Sequence, residues 1–169
     1  MISRFFHSLR QDQRGVAAVE FALWTTSFFF VIMIAIDFGG YYMQRSKLNT
    51  AVGAAAVAAF NDADNVNFTD MPGYVRSLSG DQSATVGLSC NGVAASCTNL
   101  NRTCSCLKTD GTYASAACGA SCTGTGMTAG STAGYYFTID ASRPFNAMII
   151  PHSVLDGVAV AQRATVRLQ

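Results

Sequence analysis

The chain has 169 residues, of which 12% are charged and 50% hydrophobic, with a formal net charge of +1. Roughly a quarter charged residues is usual for a soluble globular protein, so this chain has few charges to solvate the surface of an ordinary cytosolic enzyme. Near-neutrality argues against a nucleic-acid binder, which needs a basic patch or stripe. The apolar content argues against a disordered chain.

In chain order, the first feature is a short basic segment. Arg4, Arg10 and Arg14 stand against a single Asp12. An apolar run of 21 residues follows, Val16 to Ile36, in which Glu20 is the only charged side chain. About 20 such residues suffice to cross the hydrocarbon core of a bilayer. Thr25, Thr26 and Ser27 are tolerated there because their hydroxyls bond back to the helix. The arginine excess places the N-terminal flank in the cytoplasm by the positive-inside rule. Everything after about residue 40 is then extracytoplasmic.

The helical period continues past the apolar run. Leu48, Ala51, Val52, Ala55, Ala58 and Ala59 recur at steps of three and four and form one stripe. Asn61-Asp62-Ala63-Asp64-Asn65 ends it with turn-forming residues. The expected helix therefore spans 16–60, an anchor followed by an amphipathic stalk, with Gly39-Gly40 as a candidate kink.

All six cysteines, Cys90, Cys97, Cys104, Cys106, Cys118 and Cys122, fall within 33 residues. Nine of the 15 glycines lie between Gly80 and Gly134, among Ser, Thr, Ala and Asn. Such a stretch has little apolar side chain for a core, and cross-links are its expected stabiliser. Zinc is the competing reading. The spacing contains no Cys-x-x-Cys and no nearby histidine, and Cys118-x-x-x-Cys122 has no matching second pair. Disulfides in an oxidising compartment are favoured, with the connectivity open among 15 possibilities.

Strand signals follow. Thr85 to Ser89 is a short candidate and Tyr135 to Asp140 a stronger one. In the C-terminal run Val158, Val160, Ala164, Val166 and Leu168 alternate with Ala159, Ala161, Arg163, Thr165 and Arg167, interrupted on the apolar face only by Gln162. That is the pattern of a half-buried strand. Pro144 and Pro151 bracket a turn before it. The fold class expected is α+β: a long N-terminal hydrophobic helix with a small antiparallel sheet and a disulfide-rich loop region. The segments are a basic leader at 1–15, an anchor and stalk helix at 16–60, and an extracytoplasmic head at 61–169 with a Cys-rich insertion at 87–134.

The junction of leader and apolar run reads Gln13-Arg14-Gly15-Val16-Ala17-Ala18-Val19-Glu20-Phe21. It resembles the processing site of type IV prepilins. Continued through Ala22 and Leu23, it resembles more closely the TadE-like proteins of the tight-adherence (Flp) pilus machinery. Asp37-Phe38-Gly39 stands where that family carries Glu-Phe-Gly, and the terminal strand is similar to the family's ending; Thr26 stands where the family often has a proline. The resemblance implies a minor pilin or pseudopilin, cut after Gly15 by a membrane-embedded prepilin peptidase, with Val16 as the new N-terminus. It implies a helix-packing and assembly role for Glu20 and Phe21; Asp37 is read either as sharing that packing role or as an interfacial residue marking the end of the span. The implied partners are the peptidase, other pilin or pseudopilin subunits, inner-membrane assembly proteins and the membrane itself.

The residues support the resemblance physically. Glycine lets the backbone extend into a protease cleft. Cleavage would leave an amine on Val16, one helical turn before Glu20 and on the same face. An acidic side chain at the bilayer centre costs roughly 2.5–3.5 kcal/mol on insertion scales. Pairing with an amine, its own or a neighbour's, would offset the smaller cost near the interface and set the register between packed helices. The alternative is an uncleaved signal anchor carrying an extracytoplasmic binding module.

Catalytic signals are weak. His152, with Ser153 and Asp156 nearby, is a loop histidine without evidence of triad geometry. No phosphate-binding loop or His-Glu-x-x-His is present. No enzyme activity, metal, cofactor or nucleic-acid partner is expected.

Overall fold

The computed structural model describes residues 14–147 and 158–169. The leader before Arg14 lies outside the described residues, as do Pro151, His152, Ser153 and Asp156. The chain divides into two compact units, one comprising Met1–Gly40 with Asn146–Asp156 and the other Tyr41–Phe145 with Gly157–Gln169.

Helix α1 (Arg14–Asn61) has 48 residues and contributes to both units. Its helical assignment passes through Gly39 and Gly40 without a break, and Asp62 to Asp64 form the turn that ends it. Thr26 returns its hydroxyl proton to the Ala22 carbonyl at 2.8 Å, so it adds no unmet polar group to the apolar run.

Within the second unit the helix buries the expected stripe. Leu48, Ala51, Val52, Ala55 and Ala59 are at most 1% exposed, and Ala58 at the stripe's margin is half-buried. A second helix, α2 (Met71–Ser79), follows a turn in which the Asn67 side chain bonds both the backbone and the carboxylate of Asp70. Pro72 fits its first turn, where an N–H has no helical partner to lose. Gly80 ends it with φ +69°, the left-handed cap that glycine adopts without strain. Met71 and Val75 are its buried side chains.

The main sheet has the order β2-β1-β5-β6 and is antiparallel throughout. Its strands are β1 (Thr85–Cys90), β2 (Val93–Ala94), β5 (Tyr136–Pro144) and β6 (Ala159–Arg167). The register aligns Leu88 with Ile139 and Ile139 with Ala164, and likewise Cys90 with Phe137 and Phe137 with Val166. One face is therefore apolar across three strands. Phe137 and Ile139 are fully buried on it, as is Val160 further along β6. Helix stripe and sheet face lie in one unit and form its core. At one border Tyr41 meets Phe145 edge to face, with centroids 5.4 Å apart, and Phe68 meets Phe137 at 5.3 Å. The expected alternation of the C-terminal strand holds, with Gln162 sharing the inner face opposite Ala141. Pro144 terminates β5 rather than opening a loop, as a residue without an N–H can do at a strand end.

The Cys-rich stretch is more ordered than its composition suggests. It contains a hairpin, β3 (Cys104–Leu107) with β4 (Tyr113–Ala116). The turn places Gly111 at φ +82° and bonds its N–H to the Lys108 carbonyl at 3.0 Å. The disulfides are Cys90–Cys97, Cys104–Cys118 and Cys106–Cys122. Cys104, Cys106, Cys122 and Ala133 form a small core of their own, against which Ala116 and Met127 pack. The cross-links thus supply the apolar interior that ordinary side chains there do not.

Polar anchors fix this lobe to the rest of the unit. Arg102 stacks over the Tyr135 ring at 5.0 Å and donates to the Ala63 carbonyl and the Asn99 side chain. Asn99 in turn bonds the Val66 N–H at 3.1 Å and its carbonyl at 3.0 Å. The loop after Cys97 is thereby tied to the turn that follows α1.

Candidate functional site

The residues singled out at the leader junction lie in the first turns of α1. Gly15, Val16 and Glu20 are exposed, and Phe21 is 73% exposed. Glu20 follows Val16 by four residues and so shares its face of the helix. A Cβ placed on Gly15 would meet nothing within 4 Å. Gly15 is therefore not needed for packing within this helix.

From Val16 to Ile36 the helix is apolar all round and exposed all round. Trp24, Phe28, Phe30 and Val31 each present most of their surface. A helix apolar on every side needs an apolar environment on every side, either lipid or other helices. None of its most apolar stretch is buried. Among the described residues this is the one helix long and apolar enough to cross a membrane. Asp37, by contrast, is 2% exposed.

Helix geometry alone brings Glu20 to Val16, whereas Phe21 projects from a different side of the helix; Asp37 belongs to a different level of the helix, four turns or more further on. The six cysteines are grouped with one another through the three disulfides. Among the described residues no cluster of His, Cys, Asp and Glu has the makings of a metal site.

A second feature was not legible in the sequence. A groove of about 680 Å³ lies between the polar face of the main sheet and the β3–β4 hairpin. Its residues come from β1, β2 and the turn between them, the hairpin, β5 and β6, which span much of the chain.

Among the described residues these observations define one apolar helix of membrane-spanning length, whose second half belongs to a disulfide-stapled α+β unit. The chain carries a TadE-like domain: residues 15–57 match the model of the TadE-like protein family. The match begins at Gly15 and stays within α1. No curated protein and no solved structure matches the chain.

Proposed function

We propose that this chain is a minor pilin or pseudopilin of a tight-adherence (Flp, type IVb) pilus, and that it acts by assembly rather than catalysis. One observation carries the reading: the TadE-like match starts at Gly15 and covers an apolar helix whose surface is unburied through Ile36. In this reading a prepilin peptidase cuts after Gly15 and releases the basic leader. The helix from Val16 anchors the protein once in the cytoplasmic membrane, with its N-terminus inside and residues 61–169 outside. Arg4, Arg10 and Arg14 favour that orientation.

The chemistry of assembly follows from Glu20. A carboxylate on the apolar part of a helix is stabilised when a cation reaches it. The amine freed on Val16 of the same or an adjacent subunit is such a cation. It sits one helical turn from Glu20 along the axis, and pairing fixes the stagger of neighbouring helices. Phe21 and the other exposed apolar residues supply the packing around the pair. The large head after Phe60 suits a minor or initiating subunit better than a repeating filament subunit.

The test is intact-mass measurement and N-terminal sequencing of the chain produced with and without a prepilin peptidase. With the peptidase the expected product lacks 15 residues and begins at Val16. Gly15→Leu should retain the leader without disturbing the helix, since space around Gly15 is open. Retention of the leader in the presence of an active peptidase, or equal trimming of Gly15→Leu, would overturn the proposal.

A further inference from the structure

We propose that the groove between the main sheet and the β3–β4 hairpin is a binding site for a short neutral oligosaccharide. Its volume of about 680 Å³ lies within the ~300–1,000 Å³ of typical ligand pockets. The argument rests on what six of its residues present: Ser89, Tyr113, Thr138, Asp140, Arg163 and Thr165.

The sheet register builds the floor. Ser89 is opposite Thr138 on β5, and Thr138 is opposite Thr165 on β6. Three hydroxyl-bearing side chains therefore stand in a row across three adjacent strands; Thr138 in the middle is buried beneath Tyr113, and Ser89 and Thr165 on either side are the ones a ligand reaches. Thr138 and Thr165 share a hydrogen bond at 2.9 Å, and the Tyr113 hydroxyl lies 3.3 Å from Thr138. Three hydroxyls joined by two bonds use two of their three protons. The chain keeps one proton to donate and spare lone pairs to accept with. The next row along the sheet holds Asp140 opposite Arg163, which pair through one carboxylate oxygen and Nε. The other carboxylate oxygen and the terminal guanidinium N–H groups remain for a ligand.

Charge and shape select the ligand class. The carboxylate and the guanidinium are mutually compensated, so the groove offers no net field to a strongly anionic or cationic ligand. It offers donors and acceptors side by side, which is what a sugar hydroxyl, itself both, requires. Apolar surface is interleaved with the polar groups. Tyr113 stands over the floor from the hairpin, and Val93, 60% exposed, borders it from β2. An aromatic ring that is apolar on its face and polar at its tip suits the C–H face of a pyranose. A purely apolar ligand would leave the hydroxyl row and the ion pair unsatisfied on losing water.

This inference does not rest on leader processing, and its test reads a different property. The full chain, purified in a zwitterionic detergent free of sugar, is titrated with maltotetraose, tetra-N-acetylchitotetraose and mannotetraose, and screened on an array of neutral and acidic glycans. Amide chemical shifts report the site. At least one neutral oligosaccharide should bind with a Kd below about 10 mM and shift the signals of Ser89, Thr138 and Thr165. Asp140→Asn and Arg163→Gln, both on solvent-exposed side chains, should each weaken binding at least about tenfold. Ser89→Ala should weaken it with the thermal transition unchanged. Gln162→Ala, on the opposite face of β6, should not affect it. Absence of binding by every neutral glycan, binding of acidic glycans alone, or equal affinity in the Asp140 and Arg163 variants would overturn the assignment.

Discussion

The phenol oxygen of Tyr113 lies 3.3 Å from the hydroxyl of Thr138, and this pair joins the stapled hairpin to the polar face of the main sheet. Tyr113 is held from two further sides. Its ring centroid is 5.8 Å from that of Tyr136, and Gly92 in the β1–β2 turn leaves room for its edge. One side chain thus connects the turn, the hairpin and the central strand.

Gly92→Ala should destabilise the head. Gly92 has φ +79°, a left-handed conformation, and an added Cβ would come within 2.6 Å of the Tyr113 ring. Backbone strain and the clash together should cost about 2–4 kcal/mol. Thermal unfolding of the variant checks it; an unchanged Tm would contradict the close approach.

The disulfides should differ in weight. Cys106–Cys122 closes a loop of sequence separation 16 and lies in the small core, whereas Cys90–Cys97 closes one of 7. Loop-closure entropy alone gives roughly 3 against roughly 2.5 kcal/mol. Cys106 and Cys122 are both buried, whereas in the other pair only Cys90 is, which adds to the first. Urea unfolding of the paired serine variants should rank Cys106/Cys122 as the more damaging loss.

Acid should weaken the head partly through Asp81. Its carboxylate is held below the ordinary range, chiefly by the hydrogen bond from the Ser83 hydroxyl, with further help from the Ser83 N–H and Arg143; partial burial opposes them. Arg143 lies 2.9 Å away. Because the folded-state pKa is the lower one, the stabilisation is full above the ordinary carboxylate range. It is lost as pH falls through the lowered value. Asp81→Asn should lower stability at neutral pH and flatten the dependence on acid, as followed by denaturant unfolding at successive pH values.

Glu20→Ala should separate assembly from folding. Glu20 is exposed on the helix, so head unfolding should be unaffected. Co-purification with sister subunits, or recovery in sheared filaments, should drop at least about tenfold if the carboxylate sets the register between helices. Wild-type recovery would leave Glu20 without that role.

Much of the architecture was legible where one residue pattern dominates. The apolar run, the Leu48–Ala59 stripe and the alternation from Val158 to Leu168 each repeat long enough to declare their period. Helix α2 was missed because its nine residues hold only two buried apolar side chains, Met71 and Val75. Its boundaries were nevertheless marked by Pro72 and Gly80, the proline-first, glycine-last asymmetry of helix ends. The β3–β4 hairpin was missed because its inward residues are Cys104 and Cys106, whose packing exists only once their partners are in place. Asp110-Gly111 between Leu107 and Tyr113 was the available turn signal. The groove had no local signature. Ser89, Thr138 and Thr165 become neighbours only through strand register, which no single segment encodes.

All three disulfides close between residues 90 and 122, whereas the central strand β5 and the edge strand β6 follow them in the chain. In a chain emerging N-terminus first, oxidation has everything it needs before Tyr136 arrives. The stapled lobe is then a preassembled template, and Tyr113 meets its partners Tyr136 and Thr138 when β5 is delivered. Covalent bond formation can precede sheet closure, and late arrival of the last 34 residues, Tyr136 to Gln169, need not strand a reactive thiol.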